Sequence, residues 1–285
     1  MPRTYNDLYI RVRNTLRGQG VEASAVEARL IVAGAAGKTT AQLVRDLRLY
    51  VGDDMAEKVE AMLARRLNGE PVAYITGFWE FYGLPMEITR DVLIPRPDTE
   101  VIVETAVAAL TGRKMDARIL DLCSGSGCIG CALAETLPRS RVVLTDISPE
   151  AMALARRNVE RNGLSGRVGF LPADVMKAPP MMTGSFDLIV SNPPYIPTVE
   201  IMTLDASVRD YEPVWALDGG EDGLDFYRAI LRNWKSVLRP GGSLMFEVGE
   251  DQAEAVKDLM LISGMHDVSG VFDTRGVERV VTAKL

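Results

Sequence analysis

Ser191-Asn192-Pro193-Pro194-Tyr195 is the stretch of this chain best equipped for chemistry. It follows an apolar run, Phe186-Asp187-Leu188-Ile189-Val190, that reads as a strand. Two consecutive prolines fix the backbone and remove two N–H donors. The Pro193 carbonyl is then free and rigidly aimed, and Asn192 adds a side-chain carbonyl acceptor. Two converging acceptors suit a planar NH2 group: each takes one N–H, which orients the nitrogen and turns its lone pair toward an electrophile. Tyr195 can stack on a planar substrate. Amide and base-amine nitrogens are poor nucleophiles, so positioning against a sulfonium methyl is the main available source of rate. No strong base is needed, because the nitrogen becomes acidic as it gains the methyl. Asn192, Pro193 and Tyr195 are the candidate catalytic residues, and Asn192, Pro193, Pro194 and Tyr195 the candidate substrate contacts.

A second constellation lies upstream. Asp121-Leu122-Cys123-Ser124-Gly125-Ser126-Gly127-Cys128-Ile129-Gly130 follows a strand and opens a helix. Glycines let such a backbone turn sharply and approach a ligand. Asp146 closes the next strand, where an acid can accept both ribose hydroxyls of a nucleoside. Gly125, Gly127 and Gly130 also satisfy G-x-G-x-x-G, so a nicotinamide dehydrogenase competes on this segment alone. Three features favour S-adenosyl-L-methionine. A long segment precedes the strand, whereas dinucleotide domains often begin with it. Asp121 precedes the loop, where it can meet a methionine amino group. Ala173-Asp174-Val175 follows the third strand, where Asp174 can bind an adenine amino group. The plainer reading of Asp146 and Asp174 is that they end strands in turns.

Other reactive residue types carry less. Cys123, Cys128 and Cys131 match the start of a plant-type iron–sulfur spacing, but there is no fourth cysteine. Small thiols packing a tight turn explain them better, and no metal site is expected. The single histidine, His266, lies far along the chain and reads as structural. Gly34-Ala-Ala-Gly37-Lys38-Thr39 mimics a phosphate loop, but two residues separate its glycines where four are needed. A glycine helix stop followed by a threonine cap fits it better. The net charge of −7 gives no counterion release on nucleic acid and suits a basic protein partner. No apolar stretch is long enough to cross a bilayer, and Met1–Ile10 is polar without a signal-peptide core. A cytoplasmic monomer with no membrane or nucleic-acid partner is expected.

These residues need elements to hold them. The first ~70 residues read as a helical bundle. Leu8, Val12 and Leu16 share one face; Ser24 caps a second helix, Thr39 or Thr40 a third, and Asp53 opens a fourth that Asn68-Gly69 closes. Residues 71–97 read as a hairpin linker, with aromatic and β-branched runs around Gly83-Leu84-Pro85. Asp98 is positioned to cap the next helix. Over residues 98–285, strand-like runs near 118–122, 141–145, 168–171, 186–190, 243–247, 266–272 and 278–284 alternate with helices. That alternation predicts an α/β fold: a seven-stranded, mostly parallel, Rossmann-like sheet with an antiparallel edge at the end.

The loop, Asp146 and Asn192–Tyr195 resemble the class I methyltransferases that modify amide or exocyclic amine nitrogens. Three further blocks are similar to the HemK/PrmC family: Gly69–Gly77, Leu93–Glu100, and Tyr211-Glu212-Pro213 with Ala216–Gly220 and Asp222–Asp225. The resemblance implies a glutamine methyltransferase acting on the Gly-Gly-Gln motif of class I peptide-chain release factors. It implies an N-terminal helical domain that helps hold the factor. It also implies S-adenosylmethionine contacts at Cys123, Ser124, Gly125, Ser126, Gly127, Asp146, Val175 and Asn192, to which the residues' own chemistry adds Asp121 and Asp174. Cys123-Ser124 replaces a more familiar Gly-Thr, and Val175 stands where some members carry an aromatic. A sister family that modifies a ribosomal protein shares the tetrapeptide, but its linker runs Ile-Pro-Arg-Ser-Pro. Here Ile94-Pro95-Arg96-Pro97-Asp98 favours the release-factor branch, with Arg96 a candidate partner for an acid at the domain junction. Adenine-amine methyltransferases of DNA or RNA use a similar tetrapeptide and remain the alternative, against the negative charge.

Overall fold

The computed structural model describes residues 3–112, 114 and 116–285. It divides into two compact units. One runs to Phe78 and takes in Asp205–Tyr211; the other comprises Trp79–Leu204 and Glu212–Leu285. The division falls inside the first strand of the hairpin, and the helical unit takes in a segment distant in sequence.

In the helical unit, α1 (Tyr5–Gly18), α2 (Ser24–Ala35), α3 (Thr40–Asp46), α4 (Asp53–Leu67) and α5 (Val72–Thr76) are joined by β1 (Arg3–Thr4) and β2 (Tyr50–Val51), paired antiparallel. Leu8, Val12 and Leu16 on α1, Ile31 and Val32 on α2, and Val59 and Leu63 on α4 form the buried stripes. Thr39 caps α3 through a reciprocal pair with Gln42, and Gly37 ends the preceding turn at φ +62°. The phosphate-loop mimic is thus a helix stop and a cap. Ser24 is the first residue of α2 and not its cap, since Ala23 holds that position without a side-chain bond. From the distant segment, the Tyr211 hydroxyl donates to the Asn68 carbonyl at 2.8 Å. A one-turn helix, α9 (Ala206–Arg209), belongs to this unit.

The larger unit begins with β3 (Phe78–Phe81) and β4 (Leu84–Glu87). The hairpin turns at Tyr82-Gly83, both at positive φ (51° and 74°), and not at Gly-Leu-Pro. Two successive left-handed residues make the turn whose twist matches the strands. Asn158, fully buried, accepts from the Glu87 N–H at 2.6 Å and donates to the carbonyls of Glu87 and Ser126, each at 3.0 Å. A single amide thereby joins the hairpin to the glycine loop.

Next come α6 (Glu100–Leu110), β5 (Arg118–Leu122), α7 (Cys128–Thr136), β6 (Arg141–Thr145), α8 (Pro149–Arg161), β7 (Val168–Phe170) and β8 (Phe186–Ser191). The unit closes with α10 (Asp225–Asn233), β9 (Leu238–Glu247), α11 (Ala253–Ile262), β10 (His266–Phe272) and β11 (Glu278–Lys284). The seven strands order as β10-β11-β9-β8-β5-β6-β7. β5, β6, β7, β8 and β9 run parallel, while β11 is antiparallel to both its neighbours. On one face Phe246 of β9 packs with Tyr227, Ile230 and Trp234, Tyr227 standing edge-on to it at 5.1 Å. Asp98 does not cap α6: a 3-10 turn over Pro97–Thr99 leads into the helix. The Asp98 carboxylate instead pairs with Arg275 at 2.6 Å and Arg279 at 3.2 Å. Among the described residues no helix is long and apolar enough to cross a membrane.

Candidate active site

The chain runs β5 to β6 to β7 outward, then returns on the other side of β5 as β8. Ligands of open α/β sheets bind beyond the strand C-termini at such a reversal. A cleft of about 370 Å³ lies there, lined by the glycine loop, Asp146, Asp174, Val175, Asn192 and Pro194. The ends of β5 and β8 are tied where it opens, since the Ser191 hydroxyl donates to the Leu122 carbonyl at 2.8 Å.

Cys123 starts the loop at φ +57°, and Gly125 continues it at +52°. A Cβ on Gly125 would meet nothing within 4 Å, so this glycine leaves open space on the cleft side. Gly127 and Gly130 serve a different end. Added Cβ atoms there would lie 2.9 and 2.2 Å from Leu144 methyls. They let α7 pack tightly on β6, and Gly127 does not line the cleft. Cys123, Ser124, Ser126 and Cys128 do line it. The three thiols are free, and burial pushes the Cys128 thiol up to about 12, so it is a neutral packing group.

Asp146 lines the cleft, as do Asp91 and Asp174. It accepts from the Gly125 N–H at 2.8 Å and the Ser148 N–H at 3.0 Å. Burial raises its pKa, and the N–H groups of Ser148, Gly125 and Ile147 pull it back. Each carboxylate oxygen keeps a lone pair for a hydroxyl. Asp121 is arranged otherwise. It is fully buried within β5, does not line the cleft, and accepts from the Gly130 N–H at 2.9 Å. That bond holds the loop's shape from beneath, while Oδ1 is buried with no hydrogen-bond partner among the described residues. Desolvation pushes its pKa to about 8. Asp174 reaches the cleft while accepting from the Met176 N–H at 2.9 Å and pairing with Lys177 at 3.2 Å. Val175 is buried at the wall, its carbonyl fixed by the Trp234 indole N–H at 3.1 Å.

Of the tetrapeptide, Asn192 and Pro194 line the cleft; Pro193 and Tyr195 do not. Among the described residues no hydrogen bond ends on the Pro193 carbonyl. The Asn192 amide donates to the Thr99 hydroxyl at 3.3 Å, which leaves its carbonyl oxygen available. Tyr195 packs on the core, and its ring lies 3.4 Å from where a Gly249 Cβ would be.

Sequence reasoning assigned no role to the brace behind this segment. Ile196 bridges Asp218 in parallel: its N–H donates to the Leu217 carbonyl at 2.9 Å, and its carbonyl accepts from Gly219 at 2.8 Å. Cβ atoms on Gly219 and Gly223 would lie 2.7 Å from the Tyr195 Cα and 2.3 Å from its carbonyl oxygen. Gln252 completes the brace. Its amide donates to the Tyr195 carbonyl at 2.8 Å and accepts from the Gly249 N–H at 3.1 Å. Glu212 binds the second family block, accepting from the Ile94 N–H at 3.2 Å and pairing with Arg96. His266 sits exposed on β10 beside Asp267 and does not line the cleft.

The donor set fits S-adenosylmethionine. Ser124 Oγ is buried at the cleft wall with no hydrogen-bond partner among the described residues, Gly125 leaves open space, and Asp146 keeps unused acceptor capacity beside two fixed amides. Asp146→Ala is expected to weaken cofactor binding at least tenfold, from the ~1.5–3 kcal/mol carried by charge-assisted hydrogen bonds. Calorimetry with an unchanged affinity would remove Asp146 from the site.

Residues 99–205 match the family described as Methyltransferase small domain, and residues 7–77 match PrmC N-terminal domain. The chain is 42% identical to a release factor glutamine methyltransferase of Geobacter sulfurreducens, over 96% of this chain and 94% of that protein. It is 39% identical to one of Agrobacterium fabrum, over 96% and 94%. A methyltransferase structure from Pyrococcus furiosus superimposes with a TM-score of 0.54 at 21% identity, covering 79% of this chain and 98% of that one, which bears on the fold alone. With the glycine loop, Asp146 and the Asn-Pro-Pro-Tyr segment gathered at one reversal of the sheet, and full-length relatives at this identity, the chain belongs to the release factor glutamine methyltransferase family.

Proposed function

We propose that this chain transfers a methyl group from S-adenosyl-L-methionine to the side-chain amide nitrogen of the glutamine in the Gly-Gly-Gln motif of class I peptide-chain release factors. The observation that carries the reading is the pair of acceptors at residues 192 and 193. The Asn192 carbonyl oxygen is freed by the amide's bond to Thr99, and the Pro193 carbonyl takes no protein donor among the described residues. Two such acceptors orient a primary amide and leave its nitrogen lone pair facing the methyl donor.

Asp146 would hold the ribose hydroxyls, Ser124 and Gly125 the methionine end, and Asp174 and Val175 the adenine. Asp121 supports this site from beneath through Gly130. Bound there, S-adenosylmethionine would supply an electrophilic sulfonium methyl; as the N–C bond forms, the C–S bond breaks to leave the thioether, and one amide proton passes to solvent. Tyr195, packed on the core with its backbone held by Gln252, is the proposed stacking surface for the planar amide. The helical N-terminal unit is the proposed grip on the factor. Much of the binding energy then lies remote from the glutamine, so a short Gly-Gly-Gln peptide should be a far poorer substrate than the intact factor. The net charge of −7 favours a protein over a polyanion. The enzyme is proposed to act as a cytoplasmic monomer.

The test is a tryptic map of release factor after incubation with enzyme and cofactor. A gain of ~14 Da, one methylene added when methyl replaces hydrogen on the nitrogen, is expected on the Gly-Gly-Gln peptide. Methylation of DNA or RNA adenine, or of a ribosomal protein, with none on the factor, would overturn the assignment.

A further inference from the structure

Glu247 ends β9 with a buried carboxylate, 3% exposed, in a strand that is otherwise apolar from Leu244. A charge is seldom placed there without a task. Its backbone is fully engaged: the residue pairs with Val280 of β11, and its carbonyl accepts from the Tyr227 hydroxyl at 2.9 Å. In its side chain, Oε2 is buried with no hydrogen-bond partner among the described residues. Phe246 lies opposite Ser191 in the parallel pairing of β9 with β8, so Glu247 and Asn192 leave adjacent strands side by side; the carboxylate faces the Thr99 hydroxyl and the Asn192 amide, which are bonded to each other at 3.3 Å.

We infer that Glu247 is the positioning residue that fixes which way the Asn192 amide points. The inference rests on the reading that Asn192 orients the substrate nitrogen. A side-chain amide has two ends of nearly equal shape, and either could face the cleft. A carboxylate accepts only. Set behind Asn192, it draws the NH2 end toward itself and Thr99, and the carbonyl oxygen is left for the substrate N–H. A neutral amide or a protonated acid in its place offers both donor and acceptor and imposes no such choice. The hydroxyl of Thr99 works in the same sense, accepting from Asn192 while its own proton faces Glu247.

The control is tied to protonation. Burial pushes Glu247 up to about 7, while Thr99 and Asn192 favour its ionised form. The other groups around it are Arg279 on β11, Asp98 before α6, Tyr195 beyond β8, Tyr227 on α10 and Cys128 on α7. Arg279 stabilises the anion and Asp98 opposes it; burial holds both tyrosines and the thiol neutral near pH 7. The ionised carboxylate does the positioning, so turnover falls as pH drops through Glu247's pKa.

The experiment measures kcat with release factor and cofactor both saturating, from about pH 6 to 9, for wild type and Glu247→Gln. Wild type should slow on the acid side of about 7 through a single ionisation and level off near the rate of Glu247→Gln, since the protonated acid and the amide are equivalent here. Glu247→Gln should be at least about tenfold slower at pH 8 and flat over the range, with cofactor affinity and the KM for factor little changed. Thr99→Ala provides a second variant if the glutamine variant does not fold: it should lower kcat while keeping the pH limb. A Glu247→Gln enzyme that keeps kcat and the acid limb would overturn the inference. So would a Thr99→Ala enzyme with unaltered kcat, were it the only variant to fold. Failure of the wild type to methylate release factor would instead overturn the proposed function, so the two failures are distinguishable.

Discussion

Asn192→Ala is expected to lower kcat by roughly 30- to 1000-fold, with a far smaller effect on cofactor affinity. The range corresponds to the ~2–4 kcal/mol lost when one preorganised polar contact to a transition state is removed. The geometry favours the upper part of it. The amide nitrogen of glutamine is conjugated and weakly nucleophilic, so its lone pair must be turned toward the methyl before it can react. Asn192 is held at one end by Thr99, which means its acceptor needs no reorganisation when substrate arrives. Alanine removes that acceptor and leaves the Thr99 hydroxyl without this donor. The remaining acceptor, the Pro193 carbonyl, can hold one N–H and cannot define the plane. Single-turnover rates at saturating substrates, with calorimetry on the cofactor, separate the two effects. A rate within twofold of wild type would deny Asn192 this role.

The parallel strands were readable in the chain because burial on both faces writes each as a short apolar run bounded by turn residues. Arg118–Leu122, Arg141–Thr145 and Phe186–Ser191 begin or end within a residue of where the pattern puts them. The residues that end those strands at the cleft, Asp146 and Asn192, were readable for the same reason. The bond from Gly130 to Asp121 was not, because a residue inside a strand can face either side, and only the sheet's pleat decides. The hairpin turn was misjudged because Tyr82 takes a left-handed conformation that its side chain does not advertise. Thr99, Glu247 and Gln252 are widely separated from the tetrapeptide they support, and no local pattern links them. The one available signal was a charge ending the apolar run Leu244-Met245-Phe246.

Gly223→Ala should reduce kcat by more than about 100-fold while cofactor binding survives, since a displacement near 1 Å at a reacting group costs that much. A Cβ on Gly223 would sit 2.3 Å from the Tyr195 carbonyl oxygen and 2.5 Å from the Gln252 amide nitrogen. Real carbon atoms do not approach so closely, so either the tetrapeptide or the loop must move. The bond it would disturb is the 2.8 Å contact by which Gln252 holds Tyr195. Gly223 also sits at φ +74°, and alanine there carries ~1–2 kcal/mol of backbone strain in addition. That strain alone could lower stability without touching the site, so a matched control is needed. Gly241 has the same φ of +74°, and its Cβ would meet nothing within 4 Å. Gly241→Ala should therefore show the strain as a lowered melting temperature and keep its turnover. The difference in kcat between the two variants isolates the steric push on the catalytic segment from the backbone cost they share. Equal turnover in both would mean that the brace of residues 217–225 and Gln252 shapes the fold without setting the position of Asn192–Tyr195.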